Sequence, residues 1–275
     1  MACSADNIEH PIATEYHIER AVWHASSDTV ATITAETLNL AEEVPLALTY
    51  NGIEYAVMMV TPHNITDFII GFSITEGLVK SPSDIRQISI TPVDGGLKAD
   101  IRISADALRT VLARSRRPIA GRTGCGICGS DMAGVLQRTS NIVQPYTPEL
   151  SAIRSALTTL RDHQVLNRGI GMLHAAAWSS TNGQITSIRE DVGRHNALDK
   201  LIGHGLNREL NFAEGFCLLT SRCSYEMATK AIAAGMRALV SLSAPTALAL
   251  RTAQQAGLTL VSPAKPDNMC FLPLV

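Results

Sequence analysis

The sequence predicts an α/β protein, with an α+β N-terminal subdomain and a larger C-terminal unit built on a mixed sheet flanked by helices. Three observations carry this. Residues 172–261 alternate strand-like and helix-like runs at the spacing of βα units. Two turn pairs, Asn51-Gly52 and Asn182-Gly183, each lie between strand-like runs, as in hairpins. The composition, 46% hydrophobic and 17% charged over 275 residues, belongs to a chain that packs a core.

Residues 1–40 show little periodicity and read as a tail leading into an early strand. Residues 41–118 read as a small α+β subdomain. Glu43 to Tyr50 and Ile53 to Val60 form a hairpin around Asn51-Gly52, whose two residues tolerate the positive φ of a type I′ turn. Asn64 or Thr66 caps a helix through Asp67, Phe68, Ile69, Phe72 and Ile74, which Gly77 ends. Ile85 to Ile90 and Ala99 to Ser104 are strands around Asp94-Gly95-Gly96.

Residues 119–147 read as a glycine-rich connection. Arg109, Arg114, Arg116, Arg117 and Arg122 accompany Gly121-Arg-Thr-Gly-Cys-Gly-Ile-Cys-Gly129, where four of nine residues are glycine. Such a run offers little side-chain packing and a wide φ/ψ range, so a mobile loop and a seam between halves are expected here.

Residues 148–275 are more regular. Pro148 to Leu166 has helical spacing through Leu150, Ile153, Leu157 and Leu160, and a hairpin follows from Met172 to Trp178 and Gln184 to Ile188. Then come a helix Val192 to Ile202, a strand Phe216 to Thr220, and a helix Tyr225 to Ala234 ended by Gly235. A strand Ala238 to Leu242, a helix Pro245 to Gln255 ended by Gly257, and a strand Leu258 to Val261 complete the unit. Consecutive strand–helix–strand units imply parallel strands, and the hairpin makes the sheet mixed.

Charge and cysteine content bound the function. A net charge of −2 and a pI near 6.4 argue against a protein that holds nucleic acid by global charge. No apolar run approaches the ~18 residues of a membrane helix. Six cysteines are far from the density of a disulfide scaffold, and no basic start followed by an apolar core precedes them. A cytoplasmic protein, with neither membrane nor nucleic acid as partner, is the expectation.

Each strand-to-helix junction of the second half is polar. They run from Ser187 through Arg189, Asp191, Arg194, His195 and Asn196; from Thr220 through Ser221, Arg222 and Ser224; and from Ser241 through Ser243 to Thr246. Such junctions gather at the carboxyl edge of a parallel sheet, where α/β folds bind ligands. Helix starts there present free N–H groups suited to phosphate, and arginine forks add to them. Capping alone accounts for any one junction. The three together, with three arginines, point to an anionic or nucleotide ligand. His195, beside Arg194 at a helix start, reads as a neutral hydrogen-bonding partner or plain polar surface rather than a general base.

Cys125-Gly-Ile-Cys128 is open to three chemistries on spacing alone: a redox dithiol, a zinc site, or a nucleophilic thiolate carrying a group. No strand leads into the pair as in a thioredoxin unit, and no second CxxC completes a zinc set. Upstream arginines favour a thiolate, and a glycine hinge lets it visit donor and acceptor. Cys217 reads as a small buried hydrophobe, Cys223 as a junction residue able to touch ligand, and Cys3 and Cys270 as end residues without a role.

Four stretches resemble the FdhD family of formate dehydrogenase accessory sulfurtransferases. They are Gly124-Cys-Gly-Ile-Cys-Gly129, Arg189-Glu-Asp-Val-Gly-Arg-His-Asn-Ala-Leu-Asp-Lys200, Thr220-Ser-Arg-Cys-Ser-Tyr-Glu-Met227 and Ser243-Ala-Pro-Thr-Ala-Leu248. The resemblance runs from about Val44 to Val261. It implies a sulfur carrier whose CxxC loop takes persulfide from a cysteine desulfurase. The sulfur then passes to the bis-molybdopterin guanine dinucleotide cofactor of formate dehydrogenase. By the same resemblance Cys125 carries the persulfide, Cys128 is its partner, the C-terminal domain is cytidine-deaminase-like, no metal is held directly by protein residues, and the chain is a homodimer.

The family's cofactor-binding stretch after the last strand falls at Pro263, Ala264, Lys265, Pro266, Asp267 and Asn268. Pro263 stands there for an aromatic and Asp267-Asn268 for Gly-Arg, while Lys265 keeps a cation. Two other readings compete: a cofactor-binding chaperone without sulfur transfer, and a zinc hydrolase of deaminase type. The junctions hold Arg194-His-Asn196 and Arg222-Cys-Ser224 where a deaminase carries H-x-E and P-C-x-x-C.

Overall fold

The computed structural model describes residues 2–3, 10–23, 30–115 and 142–272. The glycine-rich segment with Cys125 and Cys128 lies outside the described residues.

The first sheet has the order β1-β6-β7-β4-β5. Its strands are β1 (Ala2–Cys3), β4 (Val44–Tyr50), β5 (Ile53–Val60), β6 (Ile85–Val93) and β7 (Gly96–Ile103). The β4–β5 hairpin turns at Asn51 and Gly52, with φ 47° and 83°, the positive pair of a type I′ turn. Two helices complete its core, α1 (Ile65–Thr75) and α2 (Ala105–Ser115). The sequence reading names no helix over 105–115, and the structure adds one there. Ser104 starts it, its hydroxyl accepting from the Ala107 amide at 3.3 Å, and Ala107 and Val111 are buried in the core with Leu108 packed against it, a short apolar stripe that does not stand out among arginines.

The second sheet has the order β13-β12-β11-β10-β8-β9. It comprises β8 (His174–Ser179), β9 (Ile185–Asp191), β10 (Phe216–Arg222), β11 (Ala238–Ser243), β12 (Thr259–Lys265) and β13 (Asn268–Leu272). Strands β10, β11 and β12 run parallel, while β8, β9 and β13 pair antiparallel to their neighbours. The mixed sheet is as the sequence predicts. The edge strand β13 is not foreseen there, because a five-residue run after a turn leaves little periodicity. Helix α3 (Leu150–His163) covers one face, and α4 (Arg194–Asn207), α5 (Tyr225–Ala233) and α6 (Ala247–Ala256) cover the other.

Helix α1 joins the two sheets. Every residue from Ile65 to Ser73 is buried, so it has no solvent face. It crosses α4 where Gly71 meets Gly203. A Cβ at Gly71 would stand 1.8 Å from the Asp199 carbonyl oxygen, and one at Gly203 would stand 1.9 Å from that of Asp67. Glycine at both positions is what permits this approach.

The region read as a tail contains a long ribbon instead, β2 (Ala13–Trp23) paired antiparallel with β3 (Val30–Ala41). Its residues are rich in Thr, Ile and Val without Gly or Pro, so β-propensity rather than burial periodicity is its signal.

Candidate functional site

The carboxyl ends of β9, β10, β11 and β12 lie at one edge of the second sheet, with the starts of α4, α5 and α6 beside them. Part of the motif at 189–200 faces inward. Asp191 and Lys200 form an ion pair at 2.7 Å with no exposed side-chain surface on either. Asp191 also accepts from the Thr61 amide at 3.0 Å, the Gly193 amide at 2.8 Å and Asn196 Nδ2 at 3.0 Å. Lys200 Nζ donates to the Thr61 carbonyl at 2.9 Å, and Asn196 Nδ2 to the Met59 carbonyl at 2.7 Å. Burial lowers the Lys200 pKa against the pull of Asp191.

Arg189 also turns inward, its Nε donating to Asp67 on α1 at 2.7 Å and its Nη2 meeting His204 Nδ1. Burial works against ionisation of Asp67. The His204 hydrogen bond and the Arg189 guanidinium outweigh it and hold the carboxyl below its ordinary range. A second buried group stands beside this one: Lys230 contacts Asp199 at 2.8 Å and donates to Thr75 Oγ1 at 2.9 Å. Arg189, Asp191 and Asn196 therefore fasten α1 and its preceding loop to the second sheet, and their hydrogen-bonding groups are taken by the protein itself.

Arg194 and His195 differ. They open α4, and His195 is 8% exposed. Arg194 Nε and His195 Nε2 are both buried without a hydrogen-bond partner among the described residues. His195 Nε2 stands 3.9 Å from Glu226 Oε2, beyond hydrogen-bond distance, and Ser224 Oγ donates to the same oxygen at 2.7 Å. The neighbouring His195, against the effect of burial and with help from the Ser224 hydroxyl, lowers the Glu226 pKa to about 2. His174, opposite Asp191 in the β8–β9 pair, has its pKa lowered by burial and by Arg194.

At the next junction Arg222 is exposed, while Ser221 is buried with its hydroxyl on the Arg222 carbonyl at 3.1 Å. Ser243 and Thr246 are exposed. Thr246 caps α6, its hydroxyl accepting from the Ala249 amide at 3.2 Å, and its own amide donates to the Cys223 carbonyl at 3.0 Å. Cys223 is fully buried, and burial pushes its thiol up to about 12, so it is a core residue and does not touch ligand as the sequence suggested. Cys217 is buried, as expected.

Residues 263–268 finish β12 and turn into β13. Ala264 faces the core, Pro263 and Lys265 are exposed, and Pro266, Asp267 and Asn268 rim a groove of about 860 Å³ against Arg154 and Ser155 of α3. Sequence reasoning missed Glu226 and the partner residues Thr61 and Asp67. Glu226 carries one legible signal, its place two residues after Ser224 in a first helical turn. The others act across 130 residues (Thr61 to Asp191) and 122 residues (Asp67 to Arg189) and carry none.

Comparison with known proteins agrees with this architecture. A crystal structure from Desulfotalea psychrophila, described as a formate dehydrogenase accessory protein, superposes with a TM-score of 0.70 at 21% identity, covering 95% of this chain and 96% of that one. The sulfur carrier protein FdhD of Bordetella petrii is 42% identical over 223 residues, 81% of this chain and 80% of its own. That of Cupriavidus necator is 44% identical over 225 residues, 80% of this chain and 77% of its own. The FdhD/NarQ family model matches residues 41–271, a span that includes both sheets' principal strands and the polar edge. The chain therefore belongs to the FdhD/NarQ family.

Proposed function

We propose that this protein is a sulfur carrier serving formate dehydrogenase. The observation that carries the reading is family membership together with the Cys125-Gly-Ile-Cys128 pair inside the matched span. Cys125 thiolate attacks the outer sulfur of a cysteine desulfurase persulfide. The new S–S bond forms at Cys125 as the old one breaks, and the desulfurase leaves as its thiolate. Cys128 is the partner thiol, and the sulfur is passed to bis-molybdopterin guanine dinucleotide before that cofactor enters formate dehydrogenase. The protein works in the cytoplasm as a homodimer and supplies no metal ligand of its own.

The acceptor is cargo, and the edge residues fit its chemistry. Among the described residues Arg194 Nε and His195 Nε2 are buried without a hydrogen-bond partner, and Arg222, Ser243, Thr246 and Lys265 stand exposed on the same edge. A nucleotide's phosphates satisfy such donors, and a helix start adds free amides. Ser221 and Ser224 shape the junction through backbone and Glu226 contacts. Pro266, Asp267 and Asn268 line a separate groove with Arg154 and Ser155 of α3, and Pro263 is exposed at the end of β12.

Incubation with an active cysteine desulfurase and cysteine, followed by mass spectrometry of the peptide containing Cys125, is expected to show a gain of about 32 Da, one sulfur. Its absence would sink the carrier reading. If Cys125→Ser and Cys128→Ser still support formate dehydrogenase activity, a cofactor chaperone without sulfur transfer is the better description. Guanosine diphosphate is expected to bind, and Arg194→Ala to weaken it about tenfold or more, as loss of a charge-assisted contact does; equal affinity in calorimetry would remove the anion edge.

A further inference from the structure

The β2–β3 ribbon precedes residue 41, where the family match begins, apart from the last residue of β3. Its register pairs Thr14 with Leu40, Tyr16 with Leu38, Ile18 with Glu36 and Arg20 with Thr34. Residues directly opposite in an antiparallel pair share a face. One face therefore carries Tyr16, Ile18, Val22, Leu38 and Leu40, and the other carries Glu15, His17, Glu19, Thr37 and Asn39 with alanines and a single large apolar side chain, Ile33. On the first face Tyr16 is 51% and Val22 42% exposed while Ile18, Leu38 and Leu40 are half-buried, and on the other Ile33 is 62% exposed. The only charges on it, Arg20 and Glu36, already pair at 2.7 Å, so covering this face strands no lone charge. Among the described elements the ribbon's strands pack extensively only on each other. A lone two-stranded ribbon is marginal in water, so an uncovered apolar face on one asks for a partner.

We propose that the ribbon is an arm that lays its Tyr16–Leu38 face on a second copy of this chain, each copy embracing the other. Area favours a second copy over a different protein. A ribbon of 11-residue strands is about 37 Å long and about 10 Å wide, so one arm on one partner removes roughly 740 Å² from water, below what a stable interface needs. Reciprocal use doubles this to about 1,500 Å², within the standard range, and only a partner carrying the same arm can reciprocate. The inference rests on the homodimer reading above and assigns it a surface.

The test is sedimentation of the full chain over about 1–100 μM, comparing wild type with two paired variants. Tyr16→Glu with Leu38→Lys spoils the apolar face but keeps opposite charges across the ribbon. His17→Glu with Thr37→Lys does the same to the other face. The wild type is expected to be a dimer, the first variant to dissociate about 100-fold more readily, and the second to change less than about threefold. Unchanged far- and near-ultraviolet circular dichroism in both variants shows that the two sheets remain folded, since loss of a dimer by itself lowers a thermal midpoint. A dimer that survives both variants overturns the arm and leaves the homodimer standing. Dissociation by both variants alike overturns the assignment of the face. A wild type that stays monomeric over the whole range overturns the homodimer and the arm together. Amide exchange gives an independent reading: protection of residues 13–23 and 30–41 is expected to rise with concentration through the dimer midpoint. Protection that is independent of concentration means the chain covers its own ribbon and defeats the proposal.

Discussion

Asp191 and Lys200 show how much a binding motif read from sequence owes to its interior. Removing one partner of a buried pair leaves the other charge stranded, so Asp191→Ala is expected to cost about 3–5 kcal/mol in urea unfolding. Asp191→Leu combined with Lys200→Met is expected to cost clearly less than the single change, because no lone charge remains. Asp67 adds a pH dependence. Its folded pKa lies below the unfolded value of about 3.9, so its stabilisation is complete above roughly pH 5 and is lost as pH falls through the folded value. In Arg189→Met the urea midpoint should fall less between pH 5 and pH 3 than it does in the wild type. An identical slope in both proteins would show that the Arg189 contact does not set this titration. These residues belong to a string that resembles a family motif, and that resemblance marked them as important without saying which face inward. Burial decides that, and burial depends on where Thr61 and Asp67 come to rest.

At the scale of elements, the α1–α4 crossing is the tightest contact between the two sheets. Gly71→Ala places a methyl group against the Asp199 carbonyl and must push the helices apart, so a loss of about 3 kcal/mol or more is expected. Gly169→Ala, where a Cβ meets nothing within 4 Å, should change stability by less than about 0.5 kcal/mol. Chemical denaturation of both variants checks the contrast. Most elements of the second half were legible because βα units repeat apolar runs between glycine and proline punctuation. Helix α2 and the strands β2, β3 and β13 were not. The first sets only Ala107, Leu108 and Val111 against the core in an arginine-rich stretch, the ribbon's apolar face is no more than half-buried among the described residues, and β13 is too short to show a period.

For the whole molecule, the Arg189–Asp67 pair and the bonds of Asp191 and Lys200 to Thr61, with α1 buried on every side, bind both sheets into one folding unit. One calorimetric transition is expected, with the van't Hoff and calorimetric enthalpies equal; two separable transitions would show that the sheets unfold independently. The same coupling gives the polar edge its rigidity, since α4 carries Arg194 and His195 at its start and the α1 crossing along its length.

The sequence by itself determined the α/β class, the hairpins at Asn51-Gly52 and Asn182-Gly183, and the polar strand-to-helix junctions, because these arise from local periodicity and turn chemistry. It also determined family membership, because motif strings survive in order along the chain. Only the tertiary structure decided which polar residues of those strings face inward and which open onto the edge. It alone placed Glu226 beside His195 and, among the described residues, left Tyr16 and Val22 of the ribbon exposed. Those outcomes depend on contacts between residues far apart in the chain, and no local pattern records what a side chain meets after folding.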